Sequence, residues 1–265
     1  SDIIIAPETY FSESPGLLID KFKESSFIKI LKNYLNKKNN TQLLSGIQFY
    51  KLYNSFREKT KTSNYVRDSL WVDIYNSSFL ISKTKSPQIY HKSKLVVGVE
   101  NMPYKNILEP LLGNTLLDFG GTVSTRATQN KREVFEMDNG IKVAPIICYE
   151  SIYGEYVTEY VRNGAQFLAI ITNDGWWDES QGYKQHLSYA KIRSIETRRS
   201  IARSANTGSS AIINKKGEIL NKLEYNTKGI INGKIHLSDE LTFYVKYGDF
   251  IYRFSLFFFF IILLL

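Results

Sequence analysis

Residues 140–153, Gly-Ile-Lys-Val-Ala-Pro-Ile-Ile-Cys-Tyr-Glu-Ser-Ile-Tyr, constrain the fold more than any other stretch. Within them, 141–147 is a short run of β-branched and apolar side chains, the pattern of a strand buried on both faces. It ends on Cys148, the only cysteine of the chain, and the residues that follow read as a helix. A thiol at that junction can be held in one geometry. The N–H groups and dipole of a following helix would favour its thiolate, which suits a nucleophile. The competing reading is a small core residue, because free cysteines are frequently buried. Just upstream, Asp138-Asn139-Gly140 between two such runs signals a hairpin.

The flanking chain changes repeatedly between strand and helix patterns. Residues 3–6 read as a strand stopped by Pro7, which leaves Glu8 at a strand end. Apolar residues at helical spacing run over 16–36 through Leu18, Phe22, Ile28, Leu31 and Leu35. Residues 42–53 read as one strand. Residues 69–82 read as two short strands turning near Asn76-Ser77-Ser78, and 89–92 as a strand ending on Lys92. A short helix is expected over 106–112. The turn at Gly120-Gly121-Thr122 lacks the lysine of a phosphate loop. Downstream, a helix over 153–162 is closed by Asn163-Gly164, and a clean strand over 165–172 leads to Asn173-Asp174-Gly175-Trp176-Trp177. A helix over 181–200 then precedes strands at 201–204, 210–214 and 229–235. This mixture predicts an α/β fold of stacked layers. Cys148 and Asn173 fall at the carboxyl ends of buried strands, where such sheets carry their sites.

Composition narrows the function classes. A chain of 265 residues, 43% hydrophobic and 14% aromatic, supplies a sizeable core and is not disordered. One cysteine and three scattered histidines offer no recognisable metal-ligand spacing, and no cofactor is expected. The net charge of +8 is spread along polar faces, with no zinc finger or aromatic RNA-binding signature, so nucleic acid is not an expected partner. A solvated surface is the first reading of that charge and lipid headgroups the second. Residues 255–265, Ser-Leu-Phe-Phe-Phe-Phe-Ile-Ile-Leu-Leu-Leu, are apolar on every side yet shorter than the roughly 20 residues of a membrane span. They read as the start of a transmembrane helix that continues past 265. With Ser1 in place of an initiator Met, the sequence is expected to be a piece of a longer protein.

Three reactive groups at element ends have complementary chemistry. A carboxylate, Glu8, can take the proton of a thiol, Cys148. A lysine ammonium, Lys92, together with the N–H after the cysteine, can stabilise the oxyanion formed when a thiolate attacks an ester or amide. Spacing alone does not bring the three together.

The segments Pro7-Glu8, Tyr90 to Glu100 (Y-H-K-S-K-L-V…E), Ile147-Cys148-Tyr149-Glu150, 173–177 (N-D-G-W-W) and 205–213 (A-N-T-G-S-S-A-I-I) resemble, in order, the motifs of the nitrilase superfamily. Within it the chain looks most like the apolipoprotein N-acyltransferases. The Cys-Tyr-Glu continuation, the Gln185-His186-Leu187 helix and the Tyr247-Gly248-Asp249 exit before an apolar run carry that likeness. The resemblance implies a nitrilase-like α-β-β-α sandwich over 1–249, lacking an earlier strand and helix, followed at 250–265 by the start of the transmembrane helix. It implies Glu8 as general base, Lys92 as oxyanion stabiliser and Cys148 as nucleophile. Glu100, Tyr149 and Glu150 would support them, and Asn173 and Trp176 would lie along the substrate's path. Val97-Gly98-Val99-Glu100 departs from the family's Pro-Phe-Gly-Glu.

The implied activity is acyl transfer from a phospholipid to the amine of a diacylated apolipoprotein, by a monomer in the bacterial inner membrane with its catalytic domain on the periplasmic side. Two alternatives stay open: an amidase acting on a small soluble amide, and a catalytically silent membrane-associated domain that binds lipoproteins.

Overall fold

The computed structural model describes residues 2–11, 16–38, 41–101 and 125–264. The helix expected over 106–112 and the glycine turn at 120–122 lie outside them. Two six-stranded sheets form the centre. The first uses β1 (Ile3–Ile5), β2 (Leu17–Leu18), β3 (Gln42–Tyr53), β4 (Asn64–Arg67), β5 (Leu70–Ile81) and β6 (Gln88–His91), with α1 (Ser26–Asn36) between β2 and β3. The second uses β7 (Phe135–Glu136), β8 (Lys142–Ile147), β9 (Phe167–Asn173), β10 (Ile201–Asn206), β11 (Ser210–Ile213) and β12 (Ile219–Leu223). Helix α2 (Gly154–Arg162) joins β8 to β9, and α3 (Gln181–Thr197) joins β9 to β10. The three strands these helices connect run parallel, β8-β9-β10.

Alternation along β3 and β5 divides the core in two. Leu43, Ile47, Phe49, Phe79 and Ile81 face outward against Phe22, Ile28 and Leu35 of the first helical segment. Leu44 and Leu80, one residue out of phase, face the second sheet and join Val143, Ile146, Leu168 and Ile170. The far face of the second sheet is closed by Tyr156, Val157, Tyr160 and Val161 of α2 and by Leu187 and Ala190 of α3. The layers therefore run helix, sheet, sheet, helices, as the sequence resemblance implies.

Three expectations change. Residues 69–82 make one strand rather than two, because Asn76, Ser77 and Ser78 pair across the ladder with Gln48, Ile47 and Gly46. Only 26–36 of the expected 16–36 helix is α-helical. The side chain of Ser25 caps it by accepting from the Ile28 N–H (3.3 Å), and Phe22 is buried from a separate 3-10 turn, Ile19–Glu24. Residues 229–235 join no ladder. The left-handed turn at Gly217 (φ +83°) folds 219–223 straight back beside β11, so β12 takes the edge position. The chain closes with α4 (Phe243–Tyr247) and α5 (Phe250–Leu264), and α5 is exposed from its second residue onward. Among the described residues no helix is long and apolar enough to cross a membrane.

Candidate active site

Glu8 reaches the sheet interface because β3 carries a glycine opposite it. A Cβ on Gly46 would lie 2.3 Å from the Thr9 nitrogen and 2.6 Å from the Glu8 Cα. The Pro7 carbonyl accepts from the Gly46 N–H (3.1 Å), fixing the turn that presents Glu8. The carboxylate is 5% exposed. Its Oε1 accepts from Lys92 Nζ (3.1 Å) and Asn76 Nδ2 (2.7 Å), and its Oε2 from the Asn173 N–H (2.8 Å).

Lys92 follows β6, its N–H donating to the Asn76 carbonyl (2.8 Å). Nζ also meets Glu100 Oε2 at 2.9 Å. Asn76 Nδ2 donates to Glu100 Oε1 (2.9 Å), so a single amide and a single ammonium each bridge the same two carboxylates. Burial alone would pull Lys92 toward neutrality, but the charges of Glu8 and then Glu100 outweigh it and hold the ammonium. Burial likewise works against the Glu100 carboxylate, and Lys92 brings it below its ordinary range. Glu100 is therefore no surface acid. Lys94, two residues from Lys92, is exposed and lies over the rings of Tyr153 and Tyr156.

Cys148 stands where β8 ends, buried, with a left-handed backbone (φ +49°). For a residue with a Cβ that conformation costs about 1–2 kcal/mol. The charges of Glu8 and Lys92 both act on the thiol, and the Thr172 hydroxyl beside it works in the same direction as Lys92. The expectation of a dipole-stabilised thiolate is not met. A 3-10 turn, Cys148–Ile152, separates the sulfur from α2, and burial first, then the negative charge of Glu8, pushes the thiol up to about 12, with Lys92 opposing. The resting group is a protonated thiol.

Glu150 explains why residues beside the cysteine matter. It is fully buried, and burial pushes its carboxyl up. Oε1 accepts from the Ser93 N–H, Tyr90 and Tyr156 (each 2.7 Å), while Oε2 accepts from the Ile147 N–H (2.8 Å) and Tyr160 (3.3 Å). One carboxyl thus ties the residue after Lys92 to the residue before Cys148. Tyr149 is half-buried and packs edge-on against Tyr153. Asn173 contributes its backbone N–H to Glu8, while its side chain accepts from the Gly175 N–H (3.1 Å). Trp176 is 68% exposed on the turn that follows Asn173. The structure thus gathers Glu8, Lys92, Glu100 and Cys148 into one buried cluster and leaves Trp176 outside it. Sequence reading overlooked Asn76, Thr172 and the buried Asp174, whose carboxyl accepts from Thr172 (2.9 Å). For Thr172 the available signal is a polar residue inside an apolar strand pattern.

A protonated thiol beside a carboxylate and a trapped ammonium, at the edge of a two-sheet sandwich, is equipped for nucleophilic attack on an acyl carbonyl. The carbon-nitrogen hydrolase family model matches residues 59–240, and the chain belongs to that family. It is 36% identical over 180 residues to the apolipoprotein N-acyltransferase of Chlorobaculum tepidum, covering 66% of this chain and 33% of that protein. It is 31% identical over 242 residues to apolipoprotein N-acyltransferase 1 of Treponema pallidum, covering 87% of this chain and 41% of that one. The chain therefore spans well under half the length of these curated relatives. Among solved structures, a carbon-nitrogen hydrolase from Helicobacter pylori superposes with a TM-score of 0.59 at 13% identity, over 86% of this chain and 75% of that one. That likeness concerns the nitrilase-superfamily fold.

Proposed function

We propose that the chain is the catalytic part of an N-acyltransferase that moves an acyl chain from a phospholipid to the amine of a diacylglyceryl-cysteine at a lipoprotein N-terminus. The observation that carries this reading is the buried Lys92 ammonium held between Glu8 and Glu100 beside Cys148. Glu8 takes the proton from Sγ and the thiolate attacks the ester carbon. Two of the three Lys92 protons are committed to Glu8 and Glu100, and the third, with the Tyr149 N–H, meets the oxyanion. Collapse expels the lyso-phospholipid oxygen, which takes the proton back from Glu8, and leaves a Cys148 thioester. The acceptor amine then attacks the thioester and gives its proton to Glu8. An amide forms, and the proton returns to the departing sulfur.

Residues 1–249 would be the catalytic unit of a monomer, and 250–265 the beginning of a spanning helix that places it on the periplasmic side of the inner membrane. The names of the curated relatives and the exposed apolar α5 support lipid substrates over small amides.

The test is intact-protein mass spectrometry of the full-length protein incubated with phospholipid in detergent. A fatty-acyl adduct mapping to Cys148, absent in C148A and discharged by a diacylated lipopeptide, is expected. An adduct with a small amide alone would favour an amidase, and no adduct with either would favour a silent binding domain.

A further inference from the structure

Against the backbone carbonyl of Cys148 lies a second buried polar chain that the acyl-transfer steps leave unused. Arg203 Nη2 donates to Asp174 Oδ2 (2.7 Å), and Arg203 Nη1 to the Ser209 carbonyl. Asp174 Oδ1 faces His186 Nδ1 (2.9 Å). His186 Nε2 lies 3.1 Å from the carbonyl oxygen of Cys148, and Ser151 Oγ donates to the same oxygen (2.8 Å). Asp174, His186 and Arg203 are all buried, and Trp177 closes edge-on over the imidazole (5.2 Å). Gly208 leaves room for the carboxylate, since a Cβ there would lie 2.1 Å from Asp174 Oδ2.

A carboxylate and a carbonyl oxygen both only accept, so the ring bridges Asp174 Oδ1 and the Cys148 oxygen with a hydrogen on each nitrogen, while Ser151 Oγ, 2.9 Å from Nε2, gives its own hydrogen to the same carbonyl. The imidazole is thereby fixed with Nε2 against the Cys148 carbonyl. That carbonyl shares a rigid plane with the Tyr149 N–H, and in a trans peptide the two point in opposite directions. Gripping the oxygen from behind therefore aims the Tyr149 N–H forward. It also holds Cys148 in a left-handed conformation that the residue does not favour alone. We infer that His186, oriented by Asp174 and Arg203, is a positioning residue: with Ser151 it locks the Cys148–Tyr149 peptide so that the Tyr149 N–H is already pointed at the developing oxyanion. The inference rests on the nucleophile assignment above and extends it to a second row of residues.

The test uses the full-length protein with p-nitrophenyl butyrate, whose nitrophenolate burst reports acylation of Cys148, in parallel with the phospholipid adduct read by mass. H186A is expected to lower the burst rate at saturating ester about 100-fold, the scale of losing one oxyanion donor. KM should stay within about threefold, because the contact acts only in the transition state. Iodoacetamide alkylation of Cys148 needs a thiolate but no oxyanion donor, and should also stay within about threefold. H186Q, which returns an amide donor near the position of Nε2, should recover about tenfold of the loss. An unchanged burst overturns the role, as does an equal fall in burst and alkylation, which would mark a merely structural contact. If H186A does not fold, S151A removes the other donor to the same oxygen, and an unchanged burst then overturns the inference. A wild-type burst with the ester but no phospholipid adduct would refute the phospholipid reading alone, leaving His186 to be judged on the ester. No burst with either substrate would refute both.

Discussion

Opposing charges meet at one sulfur. Burial and Glu8 raise the Cys148 thiol to about 12, and Lys92 lowers it. A thiol raised in this way matches the proposed order of steps, in which Glu8 accepts the proton during attack rather than before it. E8Q removes a charge that raises the thiol, and K92M removes one that lowers it. The pH midpoint of iodoacetamide alkylation should therefore move down in E8Q and up in K92M. Both variants should lose acyl transfer by at least about 100-fold. A downward midpoint in K92M would contradict this electrostatic account. K92M also strands two buried carboxylates and should lower stability by about 3–5 kcal/mol, read from denaturant unfolding. Glu8, Lys92 and Cys148 are legible in the sequence because each follows a strand end within a family motif, and Glu100 because it closes one of those motifs. Asn76 is not. As one polar residue among Tyr75, Ser77 and Ser78 it looks like a turn, and only the pairing of β5 with β3 turns its amide toward both carboxylates. His186 stands in the Gln185-His186-Leu187 motif, but its partner, the carbonyl of Cys148, is a backbone atom that no sequence displays.

At the level of elements, the strands that build the site were read most reliably where one pattern dominates. Residues 42–53 coincide with β3, and the runs ending at Cys148 and Asn173 coincide closely with β8 and β9. The failures share a cause: tertiary pairing overrode a local signal. Polar residues inside β5 imitated a turn, and an apolar stretch at 229–235 imitated a strand whose edge position β12 already fills. The crossing of β3 with the Glu8 segment carries a sharp consequence. The Cβ of an alanine at 46 would meet backbone atoms of Glu8 and Thr9, which cannot rotate away as a side chain tip can. G46A should displace Glu8 by a fraction of an ångström to an ångström, and acyl transfer should fall about 100-fold. Alkylation of Cys148 should persist, since the thiol sits on the other sheet. Full transfer activity in G46A would show that the close crossing does not fix the base.

For the molecule as a whole, surface charge and the terminal helix offer two separate ways to meet a membrane, and they can be told apart. The net charge of +8 acts at long range and is screened by salt, with a Debye length of about 10 Å at 0.1 M and about 3 Å at 1 M. Helix α5 works by contact. Its attachment to the domain is confined to its start, where Arg253 pairs with Glu155 (2.7 Å), the Asp249 N–H donates to the same carboxylate (2.6 Å) and Phe250 packs on Phe243 (4.9 Å). Beyond Arg253, Phe254, Phe257 and the three aromatic residues after it stay more than half exposed, as do Ile262 to Leu264, and neither core cluster contains any residue of α5. Each such side chain gains roughly 1.5–3 kcal/mol on leaving water, against roughly 1 kcal/mol for a lysine at an anionic lipid surface, and only the second is lost in salt. Co-sedimentation with phosphatidylglycerol vesicles should therefore survive 1 M salt in the full chain. It should be lost when the chain is cut after residue 249, while the p-nitrophenyl ester burst stays within about threefold because the core is untouched. Binding that disappears in salt but survives the cut would assign membrane attachment to the lysines instead, and would remove α5 as a reason to seat Cys148 at the lipid surface.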